Sequence, residues 1–143
     1  MERFVGTWKL ERWTSGKEEP FGPRPQGTLV YTADGTMISS FMRRDRSPIG
    51  SGLAAWRRYA MGLKVPKPAD AHEVEQRFAA GAIVFNSYSG KYTVEGTEVH
   101  HDVEIAMFPD WIGQRLTRTY RFYEDLLSLS FGNDELVWRR KPR

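Results

Sequence analysis

Residues 99–105 read VHHDVEI, two histidines, an aspartate and a glutamate set among β-branched residues. In an extended strand successive side chains point to opposite faces. Val99, His101, Val103, Ile105 and Met107 therefore share one face, and Glu98, His100, Asp102, Glu104 and Ala106 share the other. The first face is apolar with a single ionisable member, His101, and is expected to point inward. The second is a charged stripe of the kind that meets water. The heptad thus predicts a half-buried antiparallel strand whose two histidines point apart.

Working outward, the rest of the C-terminal half has the same character. AIVFNSYSGKYTV (82–94), EVHHDVEIAM (98–107), QRLTRTYRFY (114–123), LLSLSF (126–131) and ELVWRRK (135–141) are β-rich runs. They are separated by turn signals at Glu95-Gly96, FPDWIG (108–113), Glu124-Asp125 and GND (132–134). Before them, VGTWKLERW (5–13) alternates with Trp8, Leu10 and Arg12 on one side, and the Gly- and Pro-rich TSGKEEPFGPRPQG (14–27) cannot continue a ladder. GTLVYT and TMISSFM then flank the tight-turn signal ADG at 33–35.

Between the third and fourth strands, SGLAAWRRYAMGL (51–63) has helical character. A second helix is expected from Asp70 to about Ala80, with Asp70 as N-cap, Glu73 three residues on, and Gly81 as its end. Eight antiparallel strands with no edge protection point to a sheet closed on itself. The expected fold is all-β: an eight-stranded antiparallel up-and-down barrel with two short helices inserted between strands 3 and 4, residues 1–143 forming one domain.

Composition agrees with a globular chain. The 143 residues are 40% hydrophobic, 13% aromatic and 27% charged, and no apolar run approaches the roughly 20 residues of a membrane helix. With no cysteine there is no disulfide, thiolate nucleophile or sulfur-based zinc site, which fits a reducing compartment. The first ten residues, MERFVGTWKL, lack a secretory pattern, so a cytoplasmic location is expected. The net charge of +3 is spread over MRRDRS (42–47), WRRYA (56–60) and the tail WRRKPR. That is not a single basic stripe, and neither nucleic acid nor membrane is expected as a partner.

The face test singles out a second residue. In RLTRTYRFY, Leu116, Arg118, Tyr120 and Phe122 share the more hydrophobic side, so Arg118 carries a permanent charge inward. An arginine there needs an anion, carbonyls or water. His101 and Arg118 lie on consecutive strands, and Tyr31, Asn86, Tyr88 and Tyr120 are inward positions that could add hydrogen bonds. An apolar interior with a few polar groups is the makeup of a small-molecule pocket. His100 and Asp102 have an H-x-D spacing, but no further histidine follows His101, and they read as outer-face residues with no metal and no cofactor implied. NSYSG and SLSFG lack the strand-turn-helix setting of a serine nucleophile.

The chain resembles the bacterial and fungal lipocalin-like domain family of calycin-type barrels. The resemblance rests on Gly6-Thr7-Trp8, Leu29 to Gly35, Tyr88-Ser89-Gly90-Lys91-Tyr92, His101 within VHHDVEI, Pro109-Asp110-Trp111-Ile112-Gly113, Thr117 to Tyr120, and Leu136 to Arg140. It covers nearly the whole chain. It implies a compact barrel with Trp8 packed at the closed end. In this broad class some members bind hydrophobic ligands and others act as cyclases or isomerases.

Three functions fit these residues. The first is binding of a small, largely apolar or amphipathic molecule whose anionic or carbonyl group meets Arg118 and His101. The second is a cofactor-free isomerase, cyclase or hydrolase in the same cavity, with His101 as acid/base and Arg118 as anion stabiliser. The third is an interaction module presenting Arg43, Arg44, Arg57 and Arg58 around a filled barrel. The first is the expected one.

Overall fold

The computed structural model describes residues 1–142. Eight strands form one closed antiparallel barrel in sequential order: β1 (Gly6–Ser15), β2 (Gln26–Tyr31), β3 (Thr36–Met42), β4 (Phe85–Glu95), β5 (Glu98–Ala106), β6 (Arg115–Tyr123), β7 (Leu126–Phe131) and β8 (Asp134–Arg140). Closure comes from β8 pairing with β1, from Trp8 opposite Arg140 to Ser15 opposite Asp134. Two helices, α1 (Leu53–Ala60) and α2 (Ala71–Ile83), lie in the connection between β3 and β4, and Pro109–Trp111 forms a single 3-10 turn. The expected up-and-down barrel with two inserted helices is therefore the observed fold. Among the described residues no helix is long and apolar enough to cross a membrane.

The turns follow their local chemistry. Gly35 sits at φ +92° in the β2–β3 turn, where the Thr32 hydroxyl accepts the Thr36 amide at 3.0 Å. The chain divides into two compact units, one of Met1 to Arg44 with Asn86 onward, the other of residues 45–85.

Aromatic packing plugs one end of the barrel. The N-terminal turn places Phe4 inside, where its ring meets Tyr31, Tyr120 and Phe122 edge-on at centroid distances of 5.3, 4.8 and 4.9 Å. Such pairs contribute about 0.5–1.5 kcal/mol each beyond the area they bury. Trp8 is 1% exposed, donates its indole N–H to the Phe4 carbonyl at 2.9 Å, and is covered by the Arg140 guanidinium 4.2 Å from its ring. Arg140 also donates to the Val5 carbonyl, and Arg139 pairs with Glu11 and Asp125. The basic tail is thus stitched into the seam of the sheet.

Two bulges break the simple alternation. Between Leu10 and Arg12 the β1–β8 register shifts. Arg12 turns to solvent and Trp13 takes the inner position, against Phe21 and Phe41. Arg12, grouped with Trp8 and Leu10 by strict period-two counting, therefore leaves their side of the strand. On β5 the register runs from Ser89 opposite Ile105 to Gly90 opposite Val103, leaving Glu104 as the extra residue. Past it the faces exchange: Ile105, expected inside, is 70% exposed. Replacing Ile105 with Thr is accordingly expected to change unfolding stability by less than about 0.5 kcal/mol, the scale of surface substitutions, in urea titrations. An inward Ile105 would cost several times that.

In the helical unit, Trp56 packs with Ala71 and Val74 and stacks obliquely on Phe78 at 5.1 Å. Arg77 donates to the Ile49 carbonyl at 2.9 Å. Asp70 is the residue before α2 but makes no side-chain cap bond, and Gly81 does not end the helix, which runs on to Ile83. The Arg46 guanidinium binds the Gly81 carbonyl at 2.9 Å, satisfying a last-turn acceptor. This contact helps offset the roughly 1 kcal/mol that glycine costs in a helix.

Candidate functional site

His101 is 1% exposed on the inner face of β5. Its Nε2 lies 2.7 Å from the Tyr31 hydroxyl of β2 and its Nδ1 lies 2.8 Å from the Tyr88 hydroxyl of β4. The Tyr31, Tyr88 and His101 side chains therefore form one chain of hydrogen bonds across the lumen. Tyr92, two inward positions along β4 from Tyr88, packs its ring on Tyr31 at 4.6 Å and is anchored by donating to the Thr32 carbonyl at 2.7 Å.

Arg118 of β6 stands opposite Val99, one same-face step along β5 from His101. Its guanidinium carbon lies 3.7 Å from the centre of the Phe131 ring, and Nη1 donates a long bond of 3.3 Å to the Thr117 carbonyl. Among the described residues no carboxylate is within ion-pair distance of Arg118. The arginine is half-buried, held by the Phe131 π-face and the Tyr88 hydroxyl, with Asp134 acting on it only at longer range.

Burial sets the protonation of the whole group. Desolvation first, then the Arg118 charge, push the His101 imidazole down to about 3, so it is neutral at physiological pH. Desolvation raises Tyr88 to about 12 and Tyr31 well above its ordinary value, with the Arg118 charge pulling both partly back. Arg118 is itself lowered by burial but keeps its proton. The site therefore carries a single positive charge.

The hydrogen-bond count is unequal. A neutral imidazole offers one N–H and one lone pair. One phenol donates to the bare ring nitrogen, and the other accepts the ring N–H, which leaves that second phenol's own O–H free. This holds for either tautomer. The Tyr88 oxygen accepts from the Arg118 guanidinium, and with the guanidinium N–H groups beyond that bond the site has donors to spare.

The sequence profile of the lipocalin-like domain matches residues 5–141. The chain belongs to this family. Two solved structures share its fold. A lipocalin-like protein from Bacteroides uniformis ATCC 8492 is 11% identical with a TM-score of 0.51, over 97% of this chain and 99% of that one. An uncharacterized protein from Bacteroides eggerthii DSM 20697 is 11% identical with a TM-score of 0.53, over 96% and 99%. No curated protein matches the sequence.

Within the lipocalin-like barrel, four of the six predicted site residues come together: Tyr31, Tyr88, His101 and Arg118. Tyr120 does not join them. It shares their face but lies at the plugged end, donating to the Gly96 carbonyl at 2.7 Å. Asn86 is buried at 8% exposure on the inner face of β4 and makes no bond to the cluster. Trp111 of the P-x-W-x-G loop packs edge-on against Tyr88 at 5.7 Å, so this family segment supports the site from one side.

The H-x-D pair is otherwise engaged. His100, expected to be solvated, is 7% exposed because it bonds the Thr117 hydroxyl and the Glu95 carboxylate, each at 2.9 Å. Asp102 takes a two-pronged contact from Arg115 at 2.7 and 3.1 Å. Sequence reasoning missed Phe131 as the support of Arg118. The available signal was the β6–β7 pairing, whose register of Thr119 opposite Ser130 extends to set Phe131 across from Arg118.

Proposed function

We propose that the barrel binds a small, largely apolar molecule through an anionic or carbonyl group received by Arg118 and the free phenol of the Tyr31–His101–Tyr88 chain. The observation that carries this reading is the imbalance of donors. A half-buried guanidinium without a carboxylate partner, beside a hydroxyl proton with no acceptor, is satisfied by a ligand that only accepts. The aromatic lining of the same inner face suits the rest of such a molecule.

His101, held neutral and bonded at both nitrogens, works here as a spacer that fixes the two phenols. Its depressed pKa leaves it without an imidazolium proton at neutral pH and makes it a weak base, which weighs against the acid/base reading.

Native mass spectrometry of the purified protein tests the proposal. A co-purified small molecule is expected on the wild type. The Arg118→Met variant, which keeps the stem on Phe131, is expected to retain it at least about tenfold less well, the scale of losing charge-assisted hydrogen bonds. Equal retention by both proteins would refute the role of Arg118.

A further inference from the structure

Among the described residues, two buried side-chain polar atoms have no hydrogen-bond partner: the Asn86 side-chain oxygen and the Trp138 indole nitrogen. Asn86 is 8% exposed and Trp138 2%. Asn86 shares the inner face of β4 with Tyr88 and Tyr92. Trp138 of β8 sits opposite Leu10 and Leu127, both buried. Its ring reaches Phe41 of β3 edge-on, with centroids 6.2 Å apart. Phe41 stands on β3, the neighbour of the strand that carries Asn86.

One orphan is a donor and the other an acceptor, and they do not bond each other. Leaving both buried and unpaired is as costly as losing ordinary hydrogen bonds outright, so each calls for a partner. The partner chemistry is narrow. A carboxylate or a ketone can accept from the indole but gives nothing to the amide oxygen, and an ammonium can only donate. A hydroxyl does both.

We infer that Asn86 and Trp138 form a second polar subsite that takes a hydroxyl group. Resting on the function proposed above, this makes the ligand an amphipathic hydroxy acid or hydroxy carbonyl compound. Its acidic or carbonyl end meets Arg118, and its hydroxyl is shared between the Trp138 N–H and the Asn86 oxygen.

The test is calorimetric titration with octanoic, decanoic and dodecanoic acids, their ω-hydroxy counterparts and the matching dicarboxylic acids. In at least one chain length the hydroxyl is expected to tighten binding roughly tenfold over the plain acid, as two modest hydrogen bonds would. The dicarboxylic acid is expected to show no such gain. Trp138→Phe and Asn86→Leu should each bring the hydroxy acid back to the level of the plain acid, and either variant alone is decisive if the other fails to fold. Arg118→Met should weaken both members of a pair alike.

Plain and hydroxy acids that bind equally, yet depend on Arg118, would overturn the subsite and leave the Arg118 reading standing. A hydroxyl gain that persists in both variants, or a larger gain from the dicarboxylic acid, would also overturn it. Failure of every acid to bind would overturn both readings together.

Discussion

Lowering the pH from 6.5 to 4.5 is expected to cost the fold about 2 kcal/mol through His101 alone, at up to roughly 1.4 kcal/mol per pH unit. In the unfolded chain this imidazole takes a proton near its ordinary value of about 6.5, whereas in the barrel it resists until about 3. Between those values the unfolded state holds the extra proton, so stability is present above the range and drains away as pH falls through it. The carboxylates lowered by their partners, Asp34 and Asp102, add to the loss only as pH falls toward their ordinary value of 3.8. Urea unfolding at pH 7, 6, 5 and 4.5 measures the slope. His101→Gln keeps a donor and an acceptor between the two phenols but does not titrate, and its slope should be shallower by about one proton. Parallel curves for the two proteins would mean that His101 is not the buried neutral group.

A comparably large loss is expected from Gly90→Ala. A Cβ at Gly90 would overlap the Asp102 carbonyl oxygen and stand 2.9 Å from the carbonyl carbon and 3.1 Å from the Glu104 amide. These are backbone atoms of the bulged strand, so no side chain can rotate away. Relief requires β5 to move where it carries His101. We expect a loss of about 3 kcal/mol or more in unfolding stability, at or beyond the upper end of overpacking costs. Gly132→Ala is the matched control: it also replaces a barrel glycine, at φ +56°, but nothing lies within 4 Å of the added carbon. It should cost only about 1 kcal/mol of left-handed strain. A Gly90→Ala variant as stable as this control would remove the steric reason for Y-S-G-x-Y.

The same bulge marks how far the sequence could be read. Period-two alternation is a mechanical property of extended chain, so His101 and Arg118 were correctly placed inward from polarity alone. The rule fails past an unpaired residue: Ile105 and Trp13 exchanged faces because Glu104 and the irregularity after Leu10 are set by strand pairing, which polarity does not encode. Alternation also gives a face but not a height. Tyr120 and Tyr88 looked equivalent, yet register sends the first to the plugged end and the second to His101. Likewise Trp138 could be read as seam packing, while the lack of a partner for its N–H depends on what stands across the lumen.

The seam between the first and last strands has a consequence for how this chain is made. Trp8 pairs with Arg140, so during synthesis β1 must wait for β8 before one of its edges is covered. Loop-closure entropy over that separation slows the final step, and during synthesis the waiting edge is open to pairing with other nascent chains. Of the edge-on partners of Phe4, Tyr31 of β2 is made early in that interval, whereas Tyr120 and Phe122 of β6 come late in it.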